Sequence, residues 1–291
     1  MSKARLRFVD SHMHLWDAGA NGWYGFPVPG NDFGMNLGMP KPFPNRFLMD
    51  NYLDALSAVD VAKCVHVTAV GAASDVEAES AWIAQIASEH GLPTALIGTV
   101  DVEGTCSEIE ATLDREMRNP AYRGIRILAG MDYGSQLADV VLRALVKRGL
   151  VYDAVAHPGG IAALADALRR HEDLVAILEH TGWPLSADAA TFHRWRDEMA
   201  VLAELPNALC KLSGLAMFVH RTDPEIFRRY FETALSFFGA DRCMFGSNFP
   251  VDFIYGGFRE LLAVFQSVAD GCTKEETQSL FCGTAERAYR L

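Results

Sequence analysis

The chain has six cysteines but no CxxC pair. Cys64, Cys106, Cys210, Cys243, Cys272 and Cys282 are scattered, which argues against a zinc ribbon or a disulfide framework. Three of them stand inside apolar, strand-like runs and read as small buried hydrophobes of a reducing cytosol. None has the activating surroundings of a catalytic thiol. No basic cluster stands out, and the formal charge is −11 at pH 7, so no nucleic-acid partner is expected. No apolar run is long enough to span a membrane, and "MSKARLRF" leads straight into a strand with no signal segment. A cytoplasmic protein without a membrane partner is the expectation. No GxGxxG turn follows the first strand, which weakens an open dinucleotide-binding sheet. No organic cofactor is expected. Repeats, low-complexity tracts and interdomain linkers are also lacking.

What is there is 291 residues, 50% hydrophobic and 22% charged, enough to bury a large core. Eight short apolar or β-branched runs recur, at 6–12, 62–69, 94–101, 122–128, 150–156, 174–180, 208–214 and 242–248. Between them lie segments with helical spacing of apolar residues, at 50–59, 75–91, 105–117, 136–148, 160–171, 188–204, 224–238 and 257–269. Strands separated by helices imply right-handed crossovers and a parallel sheet. Eight such units predict an α/β fold, a (β/α)8 TIM barrel of roughly 250 residues plus additions, as one domain over 1–291. A helical tail closes the chain. A long loop rich in Gly, Pro and aromatics, Asp17 to Arg46, follows the first strand. It would cover the C-terminal mouth of the barrel, where barrel active sites lie.

Polar residues end several of the apolar runs. On a strand, Asp10, His12 and His14 point the same way, and two imidazoles at i and i+2 can grip one metal ion or one substrate carbonyl. His180 ends the sixth run in "ILEHTGWP". Lys211 and Ser213 alternate on the seventh, and Lys211 is costly to bury unless paired or used. Asp153 and His157 share a face of the fifth. Arg123 and Arg126 fall on opposite faces of the fourth; Arg126, nearer the strand end, is the one expected inside, suited to a carboxylate or polarised carbonyl. The eighth run ends in "MFGSNFPVD" at Asn248, a neutral amide that cannot accept a proton near neutral pH. Asp252, past Pro250, either folds back over the mouth or is a solvated loop carboxylate.

The ordered set "VDSHMHLWD", "YRGIRIL", "ILEHTGWP", "CKLSGLA" and "MFGSNFPVD" resembles the amidohydrolase superfamily, and within it the amidohydrolase-2 group of predicted metal-dependent barrel hydrolases. That group includes sugar lactonases such as L-fuconolactonase and hydrolases of pyrone dicarboxylate and sulfomuconolactone. The resemblance implies that His12 and His14 are the first-strand histidine pair and His180 the sixth-strand histidine. It makes Arg126 a substrate-binding arginine and puts His157 where some members place a substrate-contacting aromatic. Asn248 stands where the hydrolases usually keep an aspartate that activates water. Some members bind zinc, some work without metal, and a related branch isomerises lactones.

The expected function is hydrolysis of a small carboxylated or sugar-acid lactone, with an anionic substrate. The alternatives are a lactone isomerase or lyase, and a small-molecule-binding protein on a decayed enzyme scaffold. His12, His14, His180, Asn248 and Asp252 are the candidate catalytic residues. Arg126, His157, Lys211, Trp23 and Tyr24 are the candidate substrate contacts, with Phe26 in the same loop. His12, His14 and His180 would hold a divalent metal, zinc first. Three neutral imidazoles without a carboxylate would hold it weakly. Self-association is the only protein partnership expected.

Overall fold

The computed structural model describes residues 5–24, 38–69 and 75–291. Eight parallel strands form one sheet in sequence order: β1 (Leu6–Met13), β2 (Val59–Val67), β3 (Ala95–Gly98), β4 (Tyr122–Arg126), β5 (Val151–Ala154), β6 (Ala176–Leu178), β7 (Ala208–Leu212) and β8 (Cys243–Phe245). A helix follows each in turn: α1 (Met49–Ala55), α2 (Val76–His90), α3 (Cys106–Glu116), α4 (Gln136–Arg148), α5 (Ile161–Arg169), α6 (Ala189–Ala203), α7 (Pro224–Phe238) and α8 (Phe258–Ala269). This is the (β/α)8 barrel expected from the sequence. Short helical segments, Lys274–Gln278, Ser279–Gly283 and Thr284–Tyr289, make the C-terminal tail. Among the described residues no helix is long and apolar enough to cross a membrane.

Local chemistry sets the helix ends. Thr105 and Glu108 form a reciprocal capping box at the start of α3. Asp223 caps α7, accepting the Ile226 amide at 3.1 Å, with Pro224 in the first turn. The main apolar core lies between strands and helices, where Phe8 meets Phe258, Phe265 and Phe281, and Phe245 stacks on Phe265 at 4.2 Å.

The barrel closes between β1 and the end of β8. The Asn248 amide donates to the His12 carbonyl at 2.8 Å, and the His14 amide to the Phe249 carbonyl at 2.8 Å. The seam therefore passes through three of the candidate residues, His12, His14 and Asn248. The long loop after β1 is pinched at its base, where Trp16–Asp17 pairs antiparallel with Arg46–Phe47.

The barrel interior is polar. Lys211 on β7 bonds Asp153 on β5, and since β6 lies between these strands the bond crosses the interior. The C-terminal tail supplies a further partner. Tyr289, whose carbonyl accepts from Arg123 at the start of β4, sends its hydroxyl to Asp153 at 2.8 and 3.1 Å. Asp153, Lys211 and Tyr289 are all fully buried, so water cannot replace a lost partner. Removing a donor from a buried carboxylate costs about 1–3 kcal/mol. Tyr289→Phe is accordingly expected to lower the free energy of urea unfolding by about that amount, with an unchanged slope. An unchanged unfolding midpoint would show that the hydroxyl contributes nothing.

Candidate active site

Backbone irregularity, more than strand alternation, aims the side chains of the site. The register of β1 against β2 shifts twice, between Phe8 and Val9 and again between Asp10 and Met13. The expected common face of Asp10, His12 and His14 is therefore not formed. Asp10 turns to Tyr52 of α1, whose hydroxyl donates at 2.8 Å, and also accepts the amides of Ser247 at 2.8 Å and His12 at 3.2 Å. Burial raises the Asp10 carboxyl to about 6 against these donors. Beyond the shift, His12 faces the interior, with Nδ1 3.2 Å from Lys211 Nζ. His14 stands against it, the two Nε2 atoms 3.2 Å apart.

The end of β6 departs further from expectation. The strand stops at Leu178, and His180 and Thr181 take left-handed backbone conformations, with φ of 51° and 57°. Alternation would send Glu179 and His180 to opposite faces. The left-handed turn brings both into the site. Glu179 Oε1 lies 3.4 Å from His12 Nδ1 and 3.9 Å from Lys211 Nζ; its Oε2 lies 3.5 Å from Arg126 Nη1 and 3.7 Å from His180 Nε2. Sequence reasoning missed this residue, and it corrects the expectation of imidazoles without a carboxylate. His180 Nδ1 is 3.0 Å from Ser213 Oγ. Gly214, at φ 71°, makes room for it, since a Cβ there would sit 2.3 Å from His180 Nδ1.

The other candidates divide. Arg126 is buried beside Glu179 and bonds the Thr68 carbonyl, while Arg123 turns to backbone carbonyls, Pro120 at 2.6 Å among them. β5 ends at Ala154, so Asp153 and His157 do not share a face. His157 is exposed on the following loop, 3.4 Å from the Trp183 carbonyl. Trp183, unmarked by sequence reasoning, sets its ring edge-on 4.8 Å from His180 and tilted 5.4 Å from His157. Tyr24 donates to the Leu15 carbonyl at 3.1 Å and lies 6.0 Å from Trp82 of α2, with Trp23 6.1 Å away. Phe26 lies outside the described residues.

Asn248 has a left-handed backbone, φ 53°, a conformation asparagine tolerates better than most residues. Its Nδ2 donates to Asp252 Oδ1 at 2.8 Å. Asp252 is buried, so of the two positions open to it the chain adopts the folded-back one. Its Oδ2 has no hydrogen-bond partner. Burial pushes the Asp252 carboxyl up to about 7, against the pull of the Asn248 amide and the Ala216 backbone.

Burial holds His12, His14 and His180 well below the usual histidine range. Lys211 adds to the effect at His12 and His180, and Arg126 at His14. The three rings are neutral. Burial also raises Asp153 and Glu179, with Lys211 and Arg126 opposing. Arg126 and Lys211 are thus matched by Glu179 and Asp153 respectively.

Candidate ligand atoms of His12, Glu179 and His180 lie within 4.8 Å of one another, and these are fitting donor types for a divalent ion. The hydrogen-bond directions do not fit one as they stand. The Val67 carbonyl, 2.7 Å from His14 Nδ1, can only accept, so His14 carries its proton there and Nε2 is a lone pair. An ammonium can only donate, so His12 Nδ1 is a lone pair and its proton is on Nε2. His12 Nε2–H then donates to His14 Nε2. In this arrangement His12 Nε2 carries a proton and the His14 Nε2 lone pair accepts it, so neither Nε2 is open to a metal.

The amidohydrolase family model matches residues 9–291. The uncharacterized protein y4mH of Sinorhizobium fredii is 29% identical over 98% of this chain and 99% of its own. An L-fucono-1,5-lactonase of Burkholderia ambifaria is 26% identical, covering 97% of this chain and 95% of its own. In fold, the chain is similar to a crystal structure of a Burkholderia multivorans amidohydrolase with bound zinc, at a TM-score of 0.81 and 24% identity over 99% and 100% of the two chains. With a family match that runs from the first-strand histidines to the last residue, this chain belongs to the amidohydrolase family of enzymes.

Proposed function

We propose that the enzyme hydrolyses a small, hydroxyl-bearing lactone without an ionised group, using Asp252 as the base. The observation that carries the substrate class is the charge balance. Arg126 and Lys211, the buried cations among the described residues of the site, already face Glu179 and Asp153, so neither stands unpaired to receive a substrate carboxylate. Of the carboxylated and sugar-acid lactones expected from the sequence, this favours the second. The likeness to an L-fucono-1,5-lactonase supports the same choice.

The chemistry follows from the residues. Water attacks the lactone carbonyl carbon while Asp252 takes its proton. Asn248, bonded to Asp252 and also to His14, holds the carboxylate in place. The neutral His180 favours the negative charge that develops on the carbonyl oxygen. The ring C–O bond then breaks, and the ring oxygen takes a proton back from Asp252. The product hydroxy acid ionises in solution, releasing one proton. A carboxyl near 7 suits a general base at neutral pH. Trp183 and His157 would wall one side of the substrate, with Trp23 and Tyr24 as further aromatic contacts.

A pH-indicator screen of uncharged aldono-1,4- and 1,5-lactones tests the activity. Acidification by the wild type is expected with at least one of them, both with and without chelator. Oxygen-18 from solvent should appear in the product carboxylate. Rearrangement without solvent oxygen would establish an isomerase instead, and binding without turnover across the panel would establish a binding protein.

Asp252→Asn is expected to lower kcat by about 100-fold or more, with a smaller effect on KM. Its stability also reports the assignment. An acid raised in the fold binds more protons folded than unfolded, between its unfolded value of about 4 and its folded value of about 7. Wild-type stability should therefore fall as pH rises through that window, and Asp252→Asn should remove that part of the decline. Parallel stability curves for the two proteins would contradict a raised Asp252.

A further inference from the structure

Lys211 stands on the same side chains that would hold a metal. Its ammonium is 3.2 Å from His12 Nδ1 and 3.9 Å from Glu179 Oε1. It is fixed there, because Asp153 bonds it from across the barrel and Tyr289 fixes Asp153 in turn. We propose that the Lys211 ammonium and a divalent cation are mutually exclusive partners of the His12–His14 pair.

While Lys211 donates to His12 Nδ1, the His12 proton is on Nε2 and points at His14. The His14 Nε2 lone pair, 3.2 Å away, accepts that proton and is thereby used as well. For both Nε2 atoms to turn lone pairs on an ion, His12 must carry its proton on Nδ1 instead. Glu179 Oε1, 3.4 Å from Nδ1, is placed to accept it. Lys211 must then leave Nδ1, because an N–H and an ammonium repel at that distance. One proton moves from Nε2 to Nδ1, none is gained or lost by the ring, and the ammonium stays paired with Asp153. Lys211 is thus a positioning residue that selects the His12 tautomer. Charge acts in the same direction, since a second cation beside Glu179 meets the field of Lys211 and Arg126.

The test uses full-length protein stripped of metal and needs no substrate, so its result stands apart from the lactonase reading. Histidine nitrogen NMR of the 15N-labelled wild type, assigned with single His→Gln variants, is expected to show His12 protonated on Nε2 and His14 on Nδ1. Zinc affinity is then measured by competition with a chromophoric chelator. Lys211→Met is expected to bind zinc at least about tenfold more tightly than the wild type. Since Lys211→Met leaves Asp153 buried without its cation, Lys211→Met/Asp153→Asn is the companion variant. It removes both charges, keeps an acceptor for Tyr289, and should also bind zinc more tightly. A wild-type His12 protonated on Nδ1 would overturn the proposal. So would wild-type zinc affinity in the folded double variant.

Discussion

The bond between Lys211 and Asp153 across the barrel interior is the constraint on which the rest of the site depends. Neither group survives fully buried without the other, because an isolated charge in such surroundings costs several kcal/mol. The pair is anchored from the C-terminal tail by Tyr289 and extends through His12, His14 and the Val67 carbonyl to the rim of β2. Each link in that series has its donor and acceptor set by the one before it. Replacing such a pair with apolar side chains is often neutral for stability. Its retention here fits a role in orienting His12 and balancing Glu179.

The same balance bears on selectivity. A barrel mouth lined with arginine, lysine and histidines reads, in sequence, as a place for an anion. In the fold, Glu179 and Asp153 occupy both cations, and burial keeps the histidines neutral. Asn248 adds no charge at the seam, and a carboxylate stands four residues on, at Asp252, within hydrogen-bonding distance of its amide.

The barrel was legible because strand-like and helical runs alternate without interruption, and α4 and α7 span the residues expected of them. The cost of burying Lys211 was legible too, since a lysine inside an apolar strand calls for a partner. That the partner is Asp153 was not, because pairing β5 with β7 requires the closed barrel. Glu179 was hidden by the rule that helped elsewhere: with a period of two it faces away from His180, and only the left-handed turn at His180 and Thr181 brings both inward. Asp10 was misplaced by the same rule, through the register shift in β1. Tyr289 carries no motif, and its link to Asp153 spans 136 residues.

The charge balance of the site is tested most directly by a matched pair of substrates. One is a hexono-1,5-lactone; the other is the same lactone with its terminal CH2OH oxidised to a carboxylate. The quantity to measure is kcat/KM for each at low ionic strength, where an unpaired cation in the mouth would act most strongly. A balanced site is expected to favour the uncharged lactone by about tenfold or more. A preference for the carboxylated lactone, weakening as salt is added, would mean that Arg126 or Lys211 is free to bind an anion and would contradict the account.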